Sequence, residues 1–137
     1  MRKKTDATSV EPLVTYCSKC KSQDKDPIPA VRRYTSDRIQ GVWQKAKSED
    51  RPMFILSGLL GLIDAMTPIR LYEKLLRPED VGSMVDLVAH QLLWYKFNSV
   101  EYVTKDIASA LEARPYHDLM AAACKREQVK MAVTKGG

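Results

Sequence analysis

The stretch that decides the fold is Leu13-Val-Thr-Tyr-Cys-Ser-Lys-Cys20, where a short apolar run ends in two thiols, a hydroxyl and an ammonium. A short continuous apolar run is typical of a strand that is buried on both faces of a sheet. Comparable runs follow at residues 53–56 and 100–104, and a weaker one at residues 129–133. We therefore expect about four strands, with polar side chains directly after the first.

Amphipathic segments separate these runs and predict helices. Residues 36–47 begin with a capping serine, residues 78–97 begin with Pro-Glu-Asp, and a last helix is expected to begin at Pro115. A proline followed by two acids is favoured at a helix N-terminus. Because strands and helices alternate, the sequence predicts an α/β fold whose mostly parallel sheet carries helices on both faces.

Length and composition fit one globular domain. The chain has 137 residues, of which 45% are hydrophobic and 28% are charged, close to the average for a globular protein. We expect residues 1–11 to form a flexible N-terminal arm and residues 12–137 to form a single α/β domain. The longest apolar stretch, residues 53–63, is shorter than the roughly 20 residues of a membrane helix. We therefore expect a cytoplasmic protein without a membrane partner.

The chain carries a formal charge of +5, from 22 basic and 17 acidic residues. An excess of positive charge favours an anionic partner such as a phosphate compound or a nucleic acid. The two signs are mixed along the chain, which is also typical of an ordinary solvated surface. Charge alone leaves both interpretations open.

Two long loops, residues 17–35 and 57–77, are predicted directly after the first two strands, and they carry polar residues and glycines. Ser18, Lys19 and Lys21 come after the first strand, and Gly58 and Gly61 come after the second. In parallel sheets, ligands bind at the carboxyl ends of the strands, where these residues would share one edge. A hydroxyl, ammonium groups and the backbone N–H groups of glycines suit a phosphate, a carboxylate or the polar edge of a base. Alternatively, the two glycines only shape a turn.

Five short motifs within residues 13–76 resemble those of a family of small uncharacterised bacterial and phage proteins. They are Cys17-Ser18 with Lys21, Pro29-Ala30 with Tyr34, Ile55-Leu56-Ser57, Gly61-Leu62-Ile63, and Tyr72 with Leu75. The related motifs read Cys-Ser-x-x-Lys and Ser-x-x-x-Gly-Leu-Ile, and they are distantly similar to a domain of archaeosine synthase, an enzyme of tRNA 7-deazaguanine modification. The resemblance implies a three-layer Rossmann-like domain with a pocket for a nucleobase or nucleotide. It implies these pocket residues: Cys17, Ser18, Lys21, Tyr34, Ser57, Gly61 and Tyr72.

The cysteines raise the question of chemistry. Cys17 is the best candidate nucleophile, because the ammonium groups of Lys19 and Lys21 would lower its pKa. Cys17 and Cys20 also form a CxxC motif, but no helix is predicted to begin at the second cysteine, as a redox dithiol would require. A zinc site would need ligands from Cys124, His90 or His117, which are spread over the helices. We predict no metal site, and the sequence names no cofactor.

Two other functions remain open. Basic residues around Tyr34 in the loop of residues 19–38 would allow a module that binds RNA or DNA without catalysis. Alternatively, the apolar residues 59–66 would mark an interaction subunit of a larger assembly if they were exposed. We expect Trp43 and Trp94 to lie in the core and His117 to be exposed at a helix start. Neither the oligomeric state nor the existence of catalysis follows from the sequence.

Overall fold

The centre of the fold is strand β1 (Leu13–Tyr16), which pairs with a parallel strand on each side in the computed structural model. The structure describes residues 10–136. The predicted N-terminal arm, residues 1–11, lies outside the described residues except for its last two. All four residues of β1 are buried. Neighbours on both sides and burial on both faces explain why this strand has a continuous apolar run instead of an alternating one.

Seven strands and four helices follow one another along the described chain. The strands are β1, β2 (Ile28–Pro29), β3 (Met53–Ser57), β4 (Gly61–Asp64), β5 (Pro68–Ile69), β6 (Ser99–Thr104) and β7 (Lys130–Lys135). The helices are α1 (Ala30–Arg33), α2 (Asp37–Ser48), α3 (Val81–Tyr95) and α4 (Arg114–Glu127). Short 3-10 turns at Pro78–Asp80 and Leu111–Ala113 precede α3 and α4.

The main sheet has five strands in the order β4-β3-β1-β6-β7, and β2 and β5 form a separate antiparallel pair. All pairs in the main sheet are parallel except β3 with β4. The predicted α/β class and mostly parallel sheet are therefore confirmed. From β1 the chain continues through α2 to β3, on one side of β1. It then passes through α3 to β6 on the other side of β1, and from β6 it continues through α4 to β7, farther out on that side. The connections from β1 and β6 therefore run in opposite directions across the sheet.

The strand count and two of the predicted loops need correction. The main sheet has five strands instead of about four, because residues 57–77 contain β4 where the sequence predicted only a loop. The same residues also contain β5, which belongs to the separate pair. Strand β4 escaped prediction because its apolar run, Gly61-Leu-Ile63, is only three residues long and begins with a glycine. Likewise, the loop predicted after β1 contains β2 and α1.

The predicted helices are present with shifted ends. The Ser36 hydroxyl accepts a hydrogen bond from the backbone N–H of Ile39, so α2 begins with the expected cap. Helix α2 packs against β1 and β3, whereas α3 and α4 pack against each other. Within residues 10–136, no helix is both long and apolar enough to cross a membrane.

Trp94 does not lie in the core, contrary to prediction. Its side chain is 80% exposed near the end of α3, beside the exposed Leu93. Trp43 is half-buried and packs against the core. The apolar pattern of α3 includes residues on its outer face, which periodicity alone does not separate from the buried ones.

Gly61 is required by the backbone at the turn between β3 and β4. Its φ is +72°, and a Cβ atom there would lie 2.3 Å from Oε1 of Gln91. We expect Gly61→Ala to lower the free energy of unfolding by about 2 kcal/mol, because both the left-handed backbone and this contact oppose a side chain. Urea denaturation measures the change.

Gly41 provides the matched control. It lies within α2, and a Cβ atom there would meet nothing within 4 Å. Gly41→Ala should raise the free energy of unfolding by about 0.5–1 kcal/mol, because alanine loses less backbone entropy in a helix. Equal effects of the two substitutions would contradict this account of Gly61.

Candidate functional site

The structure brings four of the predicted pocket residues together beside the carboxyl ends of β1 and β3. The Tyr72 hydroxyl hydrogen-bonds to the hydroxyl of Tyr34 and, at 2.6 Å, to that of Ser57. The Lys21 ammonium lies 5.3 Å from the centre of the Tyr72 ring and 6.0 Å from that of Tyr34. We call Lys21, Tyr34, Ser57 and Tyr72 the tyrosine cluster.

The hydroxyl groups of this cluster are already engaged with one another. Tyr34 and Ser57 are fully buried. The Ser57 hydroxyl accepts the backbone N–H groups of Leu59 and Leu60, which uses both of its acceptor positions. It therefore donates its own proton to Tyr72. The cluster thus ties the β3–β4 turn to the segment containing Tyr72, as a structural unit.

The two predicted glycines are close-packed against the chain itself. A Cβ atom on Gly58 would lie 3.0 Å from the backbone nitrogen of Leu76, and Gly61 faces Gln91. Leu59 and Leu60 direct their backbone N–H groups to Ser57. The open space for a ligand therefore lies elsewhere along this edge of the sheet.

That space is a cavity of about 690 Å³ at the carboxyl ends of β1 and β6, which we call the β1–β6 cavity. Its polar lining comes from the segment after β1, the start of α2 and the residues around Lys105, and its apolar lining from the segments that precede α3 and α4. The lining residues are Tyr16, Cys17, Ser18, Lys19, Cys20, Thr35, Ser36, Arg38, Leu75, Leu76, Arg77, Pro78, Lys105, Leu111, Glu112, Pro115 and Tyr116.

Arg38 lies at the base of this cavity. Its side chain enters from the first turn of α2, and only 6% of the residue is exposed. Nη1 donates to the hydroxyl of Thr15 and, at 2.8 Å, to the carbonyl of Tyr16. The guanidinium carbon lies 3.6 Å from the centre of the Tyr16 ring. Burial lowers the pKa of Arg38, but a guanidinium remains charged in proteins.

Arg38 retains hydrogen-bonding capacity. Within residues 10–136 its Nε atom is buried without a partner, and no acceptor takes a hydrogen bond from Nη2. Nε and Nη2 form one edge of the guanidinium, which matches the two oxygens of a carboxylate or phosphate. The start of α2 at Thr35 and Ser36 lines the same cavity and adds positive potential.

Two stacked tyrosines form the wall beside Arg38. The ring centres of Tyr16 and Tyr116 are 5.3 Å apart and nearly parallel. The Tyr116 hydroxyl accepts the backbone N–H of Leu76 at 3.0 Å and is 3.5 Å from the sulfur of Cys17. Burial raises the pKa of Tyr116 above its ordinary value. Tyr116 thus holds the segment before α3 against the end of β1.

Two of the predicted site residues, Cys17 and Ser18, line the cavity. Cys20, which was not predicted as a ligand-binding residue, lines it as well. The Cys17 thiol is buried, whereas Cys20 is exposed, and all three cysteines are free. Lys19 and Lys21 were both expected beside Cys17. Lys21 belongs to the tyrosine cluster instead, and Lys19 lines the cavity with Cys17. Within residues 10–136, no group of three or more His, Cys, Asp or Glu side chains is placed to hold a metal ion.

Sequence reasoning missed Tyr16 as a site residue. It treated Arg38 only as one of the basic residues of the 19–38 loop, and it left open whether Tyr116, beside His117, contacts a ligand. Arg38 shares a helical face with Val42 and Ala46, because the three are four residues apart. An arginine on the apolar face of a predicted helix indicates a buried guanidinium, and this signal was present in the sequence. Tyr16 was interpreted only as part of a strand.

Part of the basic loop predicted to bind nucleic acid lies inside the fold. Tyr34 and Arg33 are fully buried, so neither is free to stack on a base or contact a phosphate. The Arg33 guanidinium donates to the carbonyls of Ser22, Asp24, Asp26 and Ile69. Arg33 therefore organises the loop between β1 and α2. Lys19, Lys25 and Arg32 remain exposed.

Comparisons with known protein families, curated proteins and solved structures found no match to this chain. The site is therefore interpreted from its geometry alone.

The tyrosines predict a loss of stability in alkali. Burial raises the pKa of all six, that of Tyr72 to about 12, and also raises the pKa of Cys124 to about 12. Above the ordinary pKa values of about 9 to 10, the unfolded state binds fewer protons than the folded state. The free energy of unfolding should therefore fall as pH rises from about 9 to about 12.

Urea unfolding with phenolate absorbance measures this dependence. The folded protein should show little phenolate near pH 10.5, and phenolate should form together with unfolding. Tyr34→Phe removes a hydrogen bond and should lower the free energy of unfolding at neutral pH. It should also make the further decline of this free energy with rising pH less steep. Full tyrosine ionisation at ordinary pKa values before unfolding would contradict the prediction.

Proposed function

We propose that this protein is a cytoplasmic α/β domain that binds a small nucleotide or nucleobase-like anionic ligand in the β1–β6 cavity. The observation that carries the proposal is the buried guanidinium of Arg38, whose Nε–Nη2 edge has no partner within residues 10–136. A buried polar group without a partner costs about 1–3 kcal/mol. A bound anion would supply the missing acceptors once the side chain turns Nε, which is buried in the unliganded protein, toward the cavity.

The topology supports this location. The connections from β1 and β6 run in opposite directions across the sheet. If both are right-handed, their helices lie on opposite faces, which gives the three-layer Rossmann-like arrangement. In such sheets the crevice opens between the two strands from which the connections diverge. That criterion selects β1 and β6, whereas the sequence pointed to the ends of β1 and β3.

The lining supports a ligand with one anionic and one planar part. Arg38, Lys19, Arg77 and Lys105 surround the cavity with positive charge, against the single carboxylate of Glu112. Leu75, Leu76, Leu111, Pro78 and Pro115 provide an apolar wall. A base would pack against this wall while its phosphate binds Arg38. The resemblance to a domain of archaeosine synthase also implies a nucleobase ligand, but of its seven implied pocket residues only Cys17 and Ser18 line this cavity.

Catalysis is a separate question from binding. Cys17 remains the candidate nucleophile because it lines the same cavity, with its sulfur beside the Tyr116 hydroxyl. Three free cysteines agree with the proposed cytoplasmic location.

Isothermal titration with adenosine, guanosine, cytidine and uridine monophosphates tests the proposal. We expect at least one to bind and Arg38→Met to raise its Kd about 10-fold or more, because charge-assisted hydrogen bonds contribute about 1.5–3 kcal/mol. Lys47→Ala, an exposed change on the same helix, should leave the Kd unchanged. Equal effects of the two substitutions would place the ligand elsewhere.

A second readout does not depend on the stability of the Arg38 variant. Cys20 is exposed and lines the cavity, whereas Cys17 and Cys124 are buried. Bound ligand should therefore slow the alkylation of Cys20 in the wild-type protein. If no monophosphate binds, and a short RNA binds with strong salt dependence that Arg32→Ala weakens, the nucleic-acid function replaces this proposal.

A further inference from the structure

A second cavity adjoins the first along the carboxyl ends of β6 and β7. Its volume is about 390 Å³, and it is lined by Lys105, Asp106, Ser109, Ala110, Lys135 and Gly136. Lys105 lines both this cavity and the β1–β6 cavity. The two spaces therefore meet at Lys105, and together they follow the edge of the sheet.

The two cavities differ in chemistry. The β1–β6 cavity has an apolar wall and a buried arginine, which suit a base and a phosphate. The second cavity has only one nonpolar side chain, that of Ala110, and otherwise offers two ammonium groups, a hydroxyl and a carboxylate. Small-molecule sites have volumes of about 300–1,000 Å³, so each space is large enough to hold a ligand group of its own.

The charged groups of the second cavity are only loosely paired. Lys135 lies 3.8 Å from Asp106, and Lys105 lies 4.0 Å from Glu112. The lysine side chains are 75% and 47% exposed. Exposed pairs of this kind contribute little to stability, so a ligand phosphate can compete for both ammonium groups. Asp106 Oδ1 accepts the backbone N–H of Ala108, which fixes the carboxylate at the cavity.

We propose that the two cavities together bind a nucleotide whose phosphate carries a second, hydroxyl-rich unit, the class of nucleoside diphosphate sugars. This inference rests on the proposed function and names its ligand class. The base and first phosphate occupy the β1–β6 cavity at Arg38. Lys105 binds the diphosphate where the cavities meet. Asp106 accepts hydrogen bonds from sugar hydroxyls, and Lys135 donates to sugar or phosphate oxygens.

Matched pairs of ligands test the inference by isothermal titration. Each monophosphate is compared with a corresponding extended compound: AMP with ADP-ribose, UMP with UDP-glucose, and GMP with GDP-mannose. The extended member of one pair should bind at least about 10-fold more tightly, equivalent to about 1.4 kcal/mol. Lys135→Ala and Asp106→Asn should each weaken its binding several-fold and leave the monophosphate unaffected.

Lys130→Ala is the matched control, because Lys130 is also an exposed lysine of β7 but lies at the opposite end of the strand. It should change neither affinity. Equal affinity within each pair, or no effect of Lys135→Ala and Asp106→Asn, would overturn the inference and leave the proposed function intact. If no compound binds, or if binding does not depend on Arg38, the proposed function fails and this inference fails with it.

Discussion

The contact between the Arg38 guanidinium and the ring of Tyr16 connects the sheet to the candidate site. It holds the start of α2 over the end of β1 through the Tyr16 ring, the Tyr16 carbonyl and the Thr15 hydroxyl. Removing a charge from water is unfavourable, and the stacking and hydrogen bonds offset only part of that cost. Under the proposed function, a bound anion would offset the remaining cost.

A comparison with Arg33 shows why one buried arginine is structural and the other is a candidate for binding. Both Nη atoms of Arg33 donate to backbone carbonyls, four in all, and hold the loop after β1 together. Arg38 uses one Nη atom for two hydrogen bonds, one to the Thr15 hydroxyl and one to the Tyr16 carbonyl, and it lines a cavity. Within residues 10–136, Nε is buried without a partner in both arginines. The hydrogen bonds of Nη2 and the position at a cavity therefore separate the two roles.

The tyrosines connect the fold to the site in a different way. Tyr72 ties the segment before α3 to the β3–β4 turn, and Tyr116 ties the same segment to α4 through the Leu76 backbone. That segment forms one wall of the β1–β6 cavity. The family resemblance implied that Tyr34, Ser57 and Tyr72 line a pocket, and the structure does place the three side chains together. Their shared hydrogen bonds, however, lie inside the fold and beside the cavity.

The sequence by itself determined the α/β class, the parallel core and the edge at which polar residues gather, because apolar runs and helix caps are local signals. That β1 and β3 are neighbours was only assumed from the sequence, and the tertiary structure meets this assumption. Only the tertiary structure decided that β6 lies on the other side of β1 and that Arg38 points inward. Strand order and side-chain burial depend on contacts between residues far apart in the chain, such as Thr15 with Val103, and no local pattern encodes them.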